Sequence, residues 1–289
     1  MKTTASDCPG TELVLITGLS GSGKSVALAV LEDAGYYCVD NFPGVMFDAL
    51  IDTVVAAGHQ RVALTMDARS GRDITDFAAH VASLRARGVR FKMLYLDARD
   101  DTLIKRFSET RRRHPLSDGR QTLNECIARD RDLLSGAAEI ADHIDTSDLS
   151  ANALRTWMKE FVAAPPDGLM LLFESFGFKY GIPLDADLVF DVRSLPNPHY
   201  DPVLRPMTGV DAAVIAFLDA QPEAQSLLED IRKFVATWLP SYMRDNRSYL
   251  TVAIGCTGGR HRSVYFVEAL AKSFRDSAQV LTRHRGLSS

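Results

Sequence analysis

Cysteine is scarce in this chain. Its four residues, Cys8, Cys38, Cys126 and Cys256, lie far apart and form no C-x-x-C pair. That usage excludes a disulfide framework and a structural zinc site and leads to the expectation of a reducing, cytoplasmic compartment. Long apolar runs are missing as well. Nothing approaches the roughly 18 uninterrupted apolar residues of a membrane span, so no membrane contact is expected. The first ten residues are polar, carry Asp7 and lack the apolar core of a signal peptide; they read as part of a short mobile tail over 1–12. A surplus of positive charge is also absent. Thirty-three Lys and Arg face 37 Asp and Glu, a formal charge of −4, so no global field draws the chain to nucleic acid. Internal repeats and low-complexity tracts are lacking.

What is present is an ordinary globular composition, 46% apolar and 24% charged, in a chain long enough for two domains. The chain is organised around Gly18-Leu19-Ser20-Gly21-Ser22-Gly23-Lys24-Ser25, which fits the phosphate-loop pattern G-x-x-x-x-G-K-[ST]. An apolar run, Leu13 to Ile16, leads into it as a buried strand, and apolar spacing from Val26 to Ala34 continues it as a helix. Glycines let successive backbone N–H groups converge on one anion-sized hollow. The helix N-terminus adds partial positive charge. Lys24 is placed to reach β- and γ-phosphates, and the Ser25 hydroxyl to ligate Mg²⁺.

Further along, strands are expected near 35–41, 61–67, 91–97 and 142–146. They alternate with helices near 45–57, 74–87, 100–113, 123–134 and 149–162. Such alternation means βαβ units and a parallel sheet, with ligands beyond the C-terminal strand ends. Asp40, Asp67 and Asp97 fall at such ends. The Pro165-Pro166-Asp167-Gly168 stretch reads as a linker, giving a first domain over 13–163 and a second over 168–289. In the second, strands are expected near 169–174, 188–193, 249–255 and 280–282. Helices are expected near 211–219, 222–243 and 264–274, and 175–183 and 195–206 read as loops. The expected fold is α/β: an N-terminal P-loop, kinase-like parallel-sheet domain plus a C-terminal α/β domain.

Several constellations carry chemistry. Asp97 ends the run Leu94-Tyr95-Leu96 as a Walker B carboxylate for Mg²⁺, with Asp67 its rival; a helix-capping role is the competing reading for each. Arg106, Arg111, Arg112 and Arg113 suit a lid closing over phosphates, against a plain solvated face. A second glycine loop, Gly255-Cys256-Thr257-Gly258-Gly259-Arg260-His261-Arg262-Ser263, lies between a strand and a helix and reads as a second anion cradle with Arg262. Cys256 to Arg262 also fits C-x-x-x-x-x-R followed by Ser, the cradle of cysteine phosphatases. Gly255 there stands in place of their usual histidine, and the sequence places no general acid. His199, between Pro196 and Pro198, is a candidate ligand contact.

Taken with Tyr37-Cys-Val-Asp-Asn41, Glu174-Ser-Phe-Gly-Phe-Lys179, Phe190-Asp-Val-Arg193, Asn197-Pro-His199, Arg205-Pro-Met-Thr-Gly209 and the run Asn246 to Gly259, the phosphate loop resembles the RapZ/YvcJ family of bacterial P-loop nucleotide-binding proteins from about Leu13 onward. The resemblance implies ATP at Gly18 to Ser25, GTP at Asp67, Ala68, Arg69 and Ser70, and weak ATPase and GTPase activity. It implies a C-terminal domain that senses glucosamine 6-phosphate through His199, Thr257, Gly258 and Arg262, with Asp191 and Arg193 nearby. That favours a non-catalytic pocket over a phosphatase. One branch of the family binds a small RNA and hands it to an endoribonuclease, using a lysine-rich C-terminal end. Here the end is Arg283-His-Arg-Gly-Leu-Ser-Ser289, and only Arg244, Arg247 and Arg260 offer a patch. The expectation is therefore a slow ATPase and GTPase acting as a regulatory switch with ATP, GTP and Mg²⁺. A small-RNA adapter and a small-molecule kinase are the alternatives. Self-association as a homo-oligomer is also expected.

Overall fold

A strand with an unbroken apolar run must be covered on both faces, and β1 (Glu12–Gly18), apolar from Leu13 to Ile16, meets that requirement at the centre of a five-stranded sheet. The structure is a computed structural model and describes residues 10–43, 46–70, 77–163, 169–244 and 249–287. The chain divides into two compact units, Met1–Ala163 and Ala164–Ser289. Most of the expected tail, the linker from Pro165 to Gly168, Arg247 and the expected helix starts near Val45 and Ile74 lie outside the described residues.

In the first unit β1 is flanked by β3 (Arg61–Thr65) and β4 (Arg90–Asp97), with β2 (Tyr37–Val39) and β5 (Asp142–Asp145) at the edges. All pairs are parallel. The helices are α1 (Lys24–Asp33), α2 (Phe47–Ala56), α3 (Phe77–Ala86), α4 (Asp100–Thr110), α5 (Leu123–Ile140) and α6 (Ala151–Ala163). Leu13 and Leu15 of β1 pack with Val54 of α2, Val81 and Leu84 of α3 and Ala137 of α5. Val14 and Ile16 alternate with them, equally buried, on the face covered by α1, which packs on α6. Chain direction across the sheet reverses at β1, so its C-terminal end and those of β3 and β4 form the crevice where ligands collect in such sheets. Among the described residues no helix is long and apolar enough to cross a membrane.

The second unit holds a four-stranded parallel sheet in the order β7 (Leu188–Asp191), β8 (Tyr249–Cys256), β6 (Met170–Gly177), β9 (Gln279–His284). Three helices, α7 (Ala212–Asp219), α8 (Pro222–Arg244) and α9 (Arg262–Phe274), complete it. Leu171 and Phe173 of β6 and Leu250, Val252 and Ile254 of β8 form its core with Val214, Val235 and Phe266 from the helices. Register brings Gly177 opposite Cys256, and Asp191 opposite Gly255.

Element order follows the sequence pattern, while several bounds shift for identifiable reasons. α5 runs on past Gly136 to Ile140, because burial of Leu134 and Ala137 outweighs the modest cost of a helical glycine. Thr122 and Glu125 cap its start reciprocally. α4 stops at Thr110, where Arg111 turns left-handed at φ 50°, and the chain heads for Pro115, which disfavours helix in the residue before it. β6 continues to Gly177 because its pairing with β8 does. The loop expected over 195–206 contains a single 3-10 turn at Pro198–Tyr200.

Phe173, fully buried in the second core, sets a measurable stake. Phe173→Ala should cost about 3–5 kcal/mol. Urea unfolding followed by circular dichroism checks this; an unchanged midpoint would place Phe173 outside the stabilising core.

Candidate functional site

The loop between β1 and α1 is set by one close approach. Gly18 has φ 131°, and a Cβ there would lie 2.1 Å from the Leu96 carbonyl oxygen of β4, so only glycine fits. Leu19 N–H bonds Leu96 O at 3.1 Å. The carbonyls of the loop are engaged outward. Lys24 Nζ donates to Gly18 O at 2.5 Å and to Leu19 O at 3.1 Å. Arg106 of α4 donates to Gly21 O at 3.1 Å. Buried Thr146 places its hydroxyl 2.9 Å from both Ser22 O and Asp97 O and accepts from Arg106 at 3.1 Å. α1 has no side-chain N-cap and no acidic residue in its first turn. Among the described residues, the N–H groups of Gly21, Gly23, Lys24 and Ser25 meet no acceptor, and Ser25 is exposed. A hollow lined by open amides at a helix N-terminus is an anion site.

The acidic groups divide into two sets. Burial lowers the Lys24 pKa, and the charges that oppose this are Asp130, Asp67 and Asp40. Asp67 is buried and grips Arg69, accepting from Nε at 2.8 Å and from the backbone N–H at 3.0 Å. Asp40 accepts from the Thr65 hydroxyl. Asp97 is turned elsewhere: Arg131 of α5 reaches both its oxygens at 2.9 Å, while burial pushes its carboxyl above the usual range. Both rivals for a metal carboxylate are thus paired with an arginine, Asp67 with Arg69 and Asp97 with Arg131, and Asp67 is the one that acts on Lys24. The arginine run divides too. Arg106 is bonded to the loop and to Thr146 O at 2.6 Å, whereas Arg111, Arg112 and Arg113 are exposed.

A residue pair unmarked by any motif completes the loop. Asp130 of α5 accepts from Ser20 N–H at 2.7 Å, and His114 Nε2 lies 3.3 Å from the same oxygen, both side chains being about 1% exposed. Leu116 N–H donates to His114 Nδ1 at 3.2 Å, which leaves the ring proton of a neutral imidazole on Nε2. Burial acts to raise the Asp130 pKa, but His114, the Ser20 N–H and the Lys24 charge outweigh it and hold the carboxyl below its usual range. Only spatial contact across 110 residues reveals this pair, so no local pattern announces it.

The second loop follows β8 and opens α9. Gly259 has φ 72°, and a Cβ there would sit 2.7 Å from Gly177 N, so the loop lies flat on the end of β6. Cys256 Sγ accepts from Gly259 N–H at 3.2 Å and lies 3.2 Å from Ser263 Oγ. Arg262 is 3% exposed; its Nη1 donates to Arg193 O and Leu195 O at 2.8 Å each, and its Nη2 lies 3.5 Å from Thr257 Oγ1. Asp191 takes Arg193 in a tight pair at 2.7 Å that lowers the Asp191 pKa, and Arg193 stacks over Phe178 at 3.9 Å. His199 is exposed, with its ring 6.3 Å from that of His261. Thr257, Gly258, Arg262, Asp191, Arg193 and His199 are thus gathered at one strand-end cluster. Arg260 is exposed, Arg247 and the Arg244 side chain lie outside the described residues, and so does the Ser70 side chain.

Removing Asp130 tests the support of the first loop. Asp130→Ala leaves Ser20 N–H without its buried acceptor, at a cost of about 1–3 kcal/mol. Urea unfolding reads this directly; an unchanged midpoint would mean that Asp130 does not brace the loop.

Comparison with known proteins agrees across almost the whole chain. The model of the RapZ-like N-terminal domain matches residues 11–165, and that of the RapZ C-terminal domain matches residues 169–288. A protein of Azoarcus sp. (strain BH72) described as "Nucleotide-binding protein azo0399" is 60% identical over 95% of this chain and 94% of its own length. A "Nucleotide-binding protein" of Thiobacillus denitrificans is 57% identical over 96% of this chain and all of its own. Among solved structures, a shikimate kinase from Bacteroides thetaiotaomicron is 14% identical, covering 53% of this chain and 98% of that one at a TM-score of 0.39, a likeness too loose to carry an argument. With both domain models matched in order and relatives identical at more than half of their positions, this chain belongs to the RapZ family.

Proposed function

We propose that this chain binds nucleoside triphosphates at residues 18–25, hydrolyses ATP and GTP slowly, and acts as a regulatory switch whose second unit reads glucosamine 6-phosphate. The observation that carries the reading is the orientation of the first loop. Its carbonyls are engaged outward, and the amides of Gly21, Gly23, Lys24 and Ser25 are left open around Lys24. The names of the relatives, nucleotide-binding proteins, point the same way.

Within this reading Lys24 leaves Gly18 O and Leu19 O to bridge the β- and γ-phosphates, exchanging two carbonyl bonds for charge-assisted ones. Mg²⁺ suits a site of hard oxygen donors and usually takes one or two protein ligands, the rest being phosphate oxygens and waters. Exposed Ser25 and the Asp67 carboxylate supply such donors; bound there, the ion would offset charge on the γ-phosphoryl group. Asp67 to Ser70, at the end of β3, is the segment for a guanine nucleotide. In the second unit Arg262, Thr257 and Gly258 would receive the phosphate, with His199, Asp191 and Arg193 around the sugar.

The decisive experiment is steady-state ATP and GTP hydrolysis by wild type and variants, with and without glucosamine 6-phosphate. Lys24→Ala should lose on the order of 10²–10³ in turnover. Asp67→Asn should show a comparable loss and Asp97→Asn a smaller one, since Asp67 is the acid that acts on Lys24. Turnover indifferent to Lys24 would contradict the reading, and stoichiometric transfer to an acceptor would replace the switch by a kinase. Arg262→Lys keeps the charge but loses the planar fork and should weaken glucosamine 6-phosphate at least about tenfold by calorimetry; undiminished affinity would remove the phosphosugar from this pocket.

A further inference from the structure

We propose that the second loop is also a catalytic site, a phosphomonoesterase in which Cys256 attacks phosphorus and carries the phosphoryl group as a phosphocysteine. The inference rests on reading this pocket as a phosphomonoester site and adds a reaction to it.

Three features go beyond what anion binding needs. The first is the sulfur. Sγ of Cys256 sits at the end of β8 under the N-terminus of α9, 3.2 Å from the Gly259 N–H and 3.2 Å from the hydroxyl of Ser263. A pocket meant only to hold an anion gains nothing from a second anion at its floor, yet every polar group around the sulfur favours the thiolate. Burial works against ionisation, but Ser263, Gly259 and the Arg262 charge outweigh it and hold the thiol below its ordinary range.

The second feature is Arg262. Its Nη1 is fixed by two backbone carbonyls. Nε is buried and, among the described residues, has no hydrogen-bond partner. Nη2 has only the long contact with Thr257, inside the loop. The Nε–Nη2 edge is therefore left short of partners at the base of the loop, in the fork geometry that receives two oxygens of one phosphoryl group.

The third is the loop backbone. Among the described residues, the N–H groups of Thr257, Gly258, Arg260, His261 and Arg262 meet no acceptor, and nothing lies within 4 Å of where a Cβ of Gly258 would be. The mouth is open while the floor is built. Gly255 precedes the cysteine because a side chain there would meet the rings of Phe176 and Phe178 at 2.5 Å, so the thiolate depends on the amides and on Ser263.

The reaction balances without an added reagent other than water. The thiolate forms an S–P bond as the ester P–O bond breaks, and the departing alkoxide takes a proton. Asp191 is a poor donor, because its pair with Arg193 keeps it ionised. His199, set between Pro196 and Pro198 beside His261, is the group assigned to give it. Water then attacks phosphorus, gives its proton to His199, and the S–P bond breaks to restore the thiolate. The sum is a phosphate monoester plus water giving an alcohol plus inorganic phosphate. An aryl phosphate, whose phenolate leaves without a proton, needs the cysteine but not the histidine in the first step.

The test uses the full chain in EDTA without nucleotide, with p-nitrophenyl phosphate and glucosamine 6-phosphate as substrates. Samples are quenched in acid and the tryptic peptide bearing Cys256 is weighed. Wild type should release phosphate from both, and the peptide should carry one phosphoryl group. Cys256→Ser should lose at least on the order of 10³ in rate. His199→Asn should slow the first-step release of the alcohol from the sugar phosphate far more than the burst of p-nitrophenolate from the aryl phosphate. Ser263→Ala should move the pH profile of Cys256 alkylation by iodoacetamide to higher pH. Calorimetric binding of glucosamine 6-phosphate with no phosphate release and no modified peptide would overturn the catalytic proposal and leave the sensor. Absence of binding as well would overturn both. The peptide mass comes from wild type, so a misfolded variant does not blunt the test.

Discussion

Everything at the first loop depends on which way its backbone faces. A chain segment that bends around an anion must turn its N–H groups in, and its carbonyls must then find donors elsewhere. Here they do. Gly18 and Leu19 are answered by Lys24, Gly21 by Arg106, and Ser22 by Thr146. Thr146 also touches Asp97 O and accepts from Arg106, so one buried hydroxyl ties the loop to the ends of β4 and β5. None of this works unless β1 and β4 approach closely at Gly18, which is why that position has no side chain.

The second loop solves the same problem with other residues. It too leaves the middle of a parallel sheet, lies against a neighbouring strand end at a glycine, and opens a helix. The differences are chemical. Lys24 is a flexible point charge that can leave two carbonyls for a ligand. Arg262 is a planar fork pinned at one end by the carbonyls of Arg193 and Leu195. The first loop keeps carboxylates at the edge of its field, as a site for a metal-bound polyphosphate needs, whereas the second keeps a thiol at its floor.

Much of the fold was legible in the sequence, because its signals are local. The run from Leu13 to Ile16, the glycine loop and the helix after it specify a strand, turn and helix in sequence order, and the later alternation of strands and helices specifies parallel sheets. What stayed hidden depends on distant partners. Asp67 and Asp97 look alike as strand-end acids, and each is paired with an arginine; what separates them is that Asp67 acts on Lys24. Asp130 and His114 belong to no pattern, and the contact of Asp130 with Ser20 spans 110 residues. The helix expected over 123–134 runs on through Gly136, because burial of its neighbours carries α5 to Ile140. The arginine run reads as one lid, yet Arg106 is fixed to the loop while Arg111 to Arg113 lie beyond a left-handed turn.

The central claim is that the amides of the first loop are open and face the phosphates. The most direct measurement is a heteronuclear NMR titration of the labelled chain with Mg²⁺ and a non-hydrolysable ATP analogue. The account predicts that the amide resonances of Gly21, Gly23, Lys24 and Ser25 move most and become protected from solvent exchange, while that of Ser20, already bonded to Asp130, changes little. Binding that left those four amides unshifted would put the nucleotide elsewhere and contradict the account.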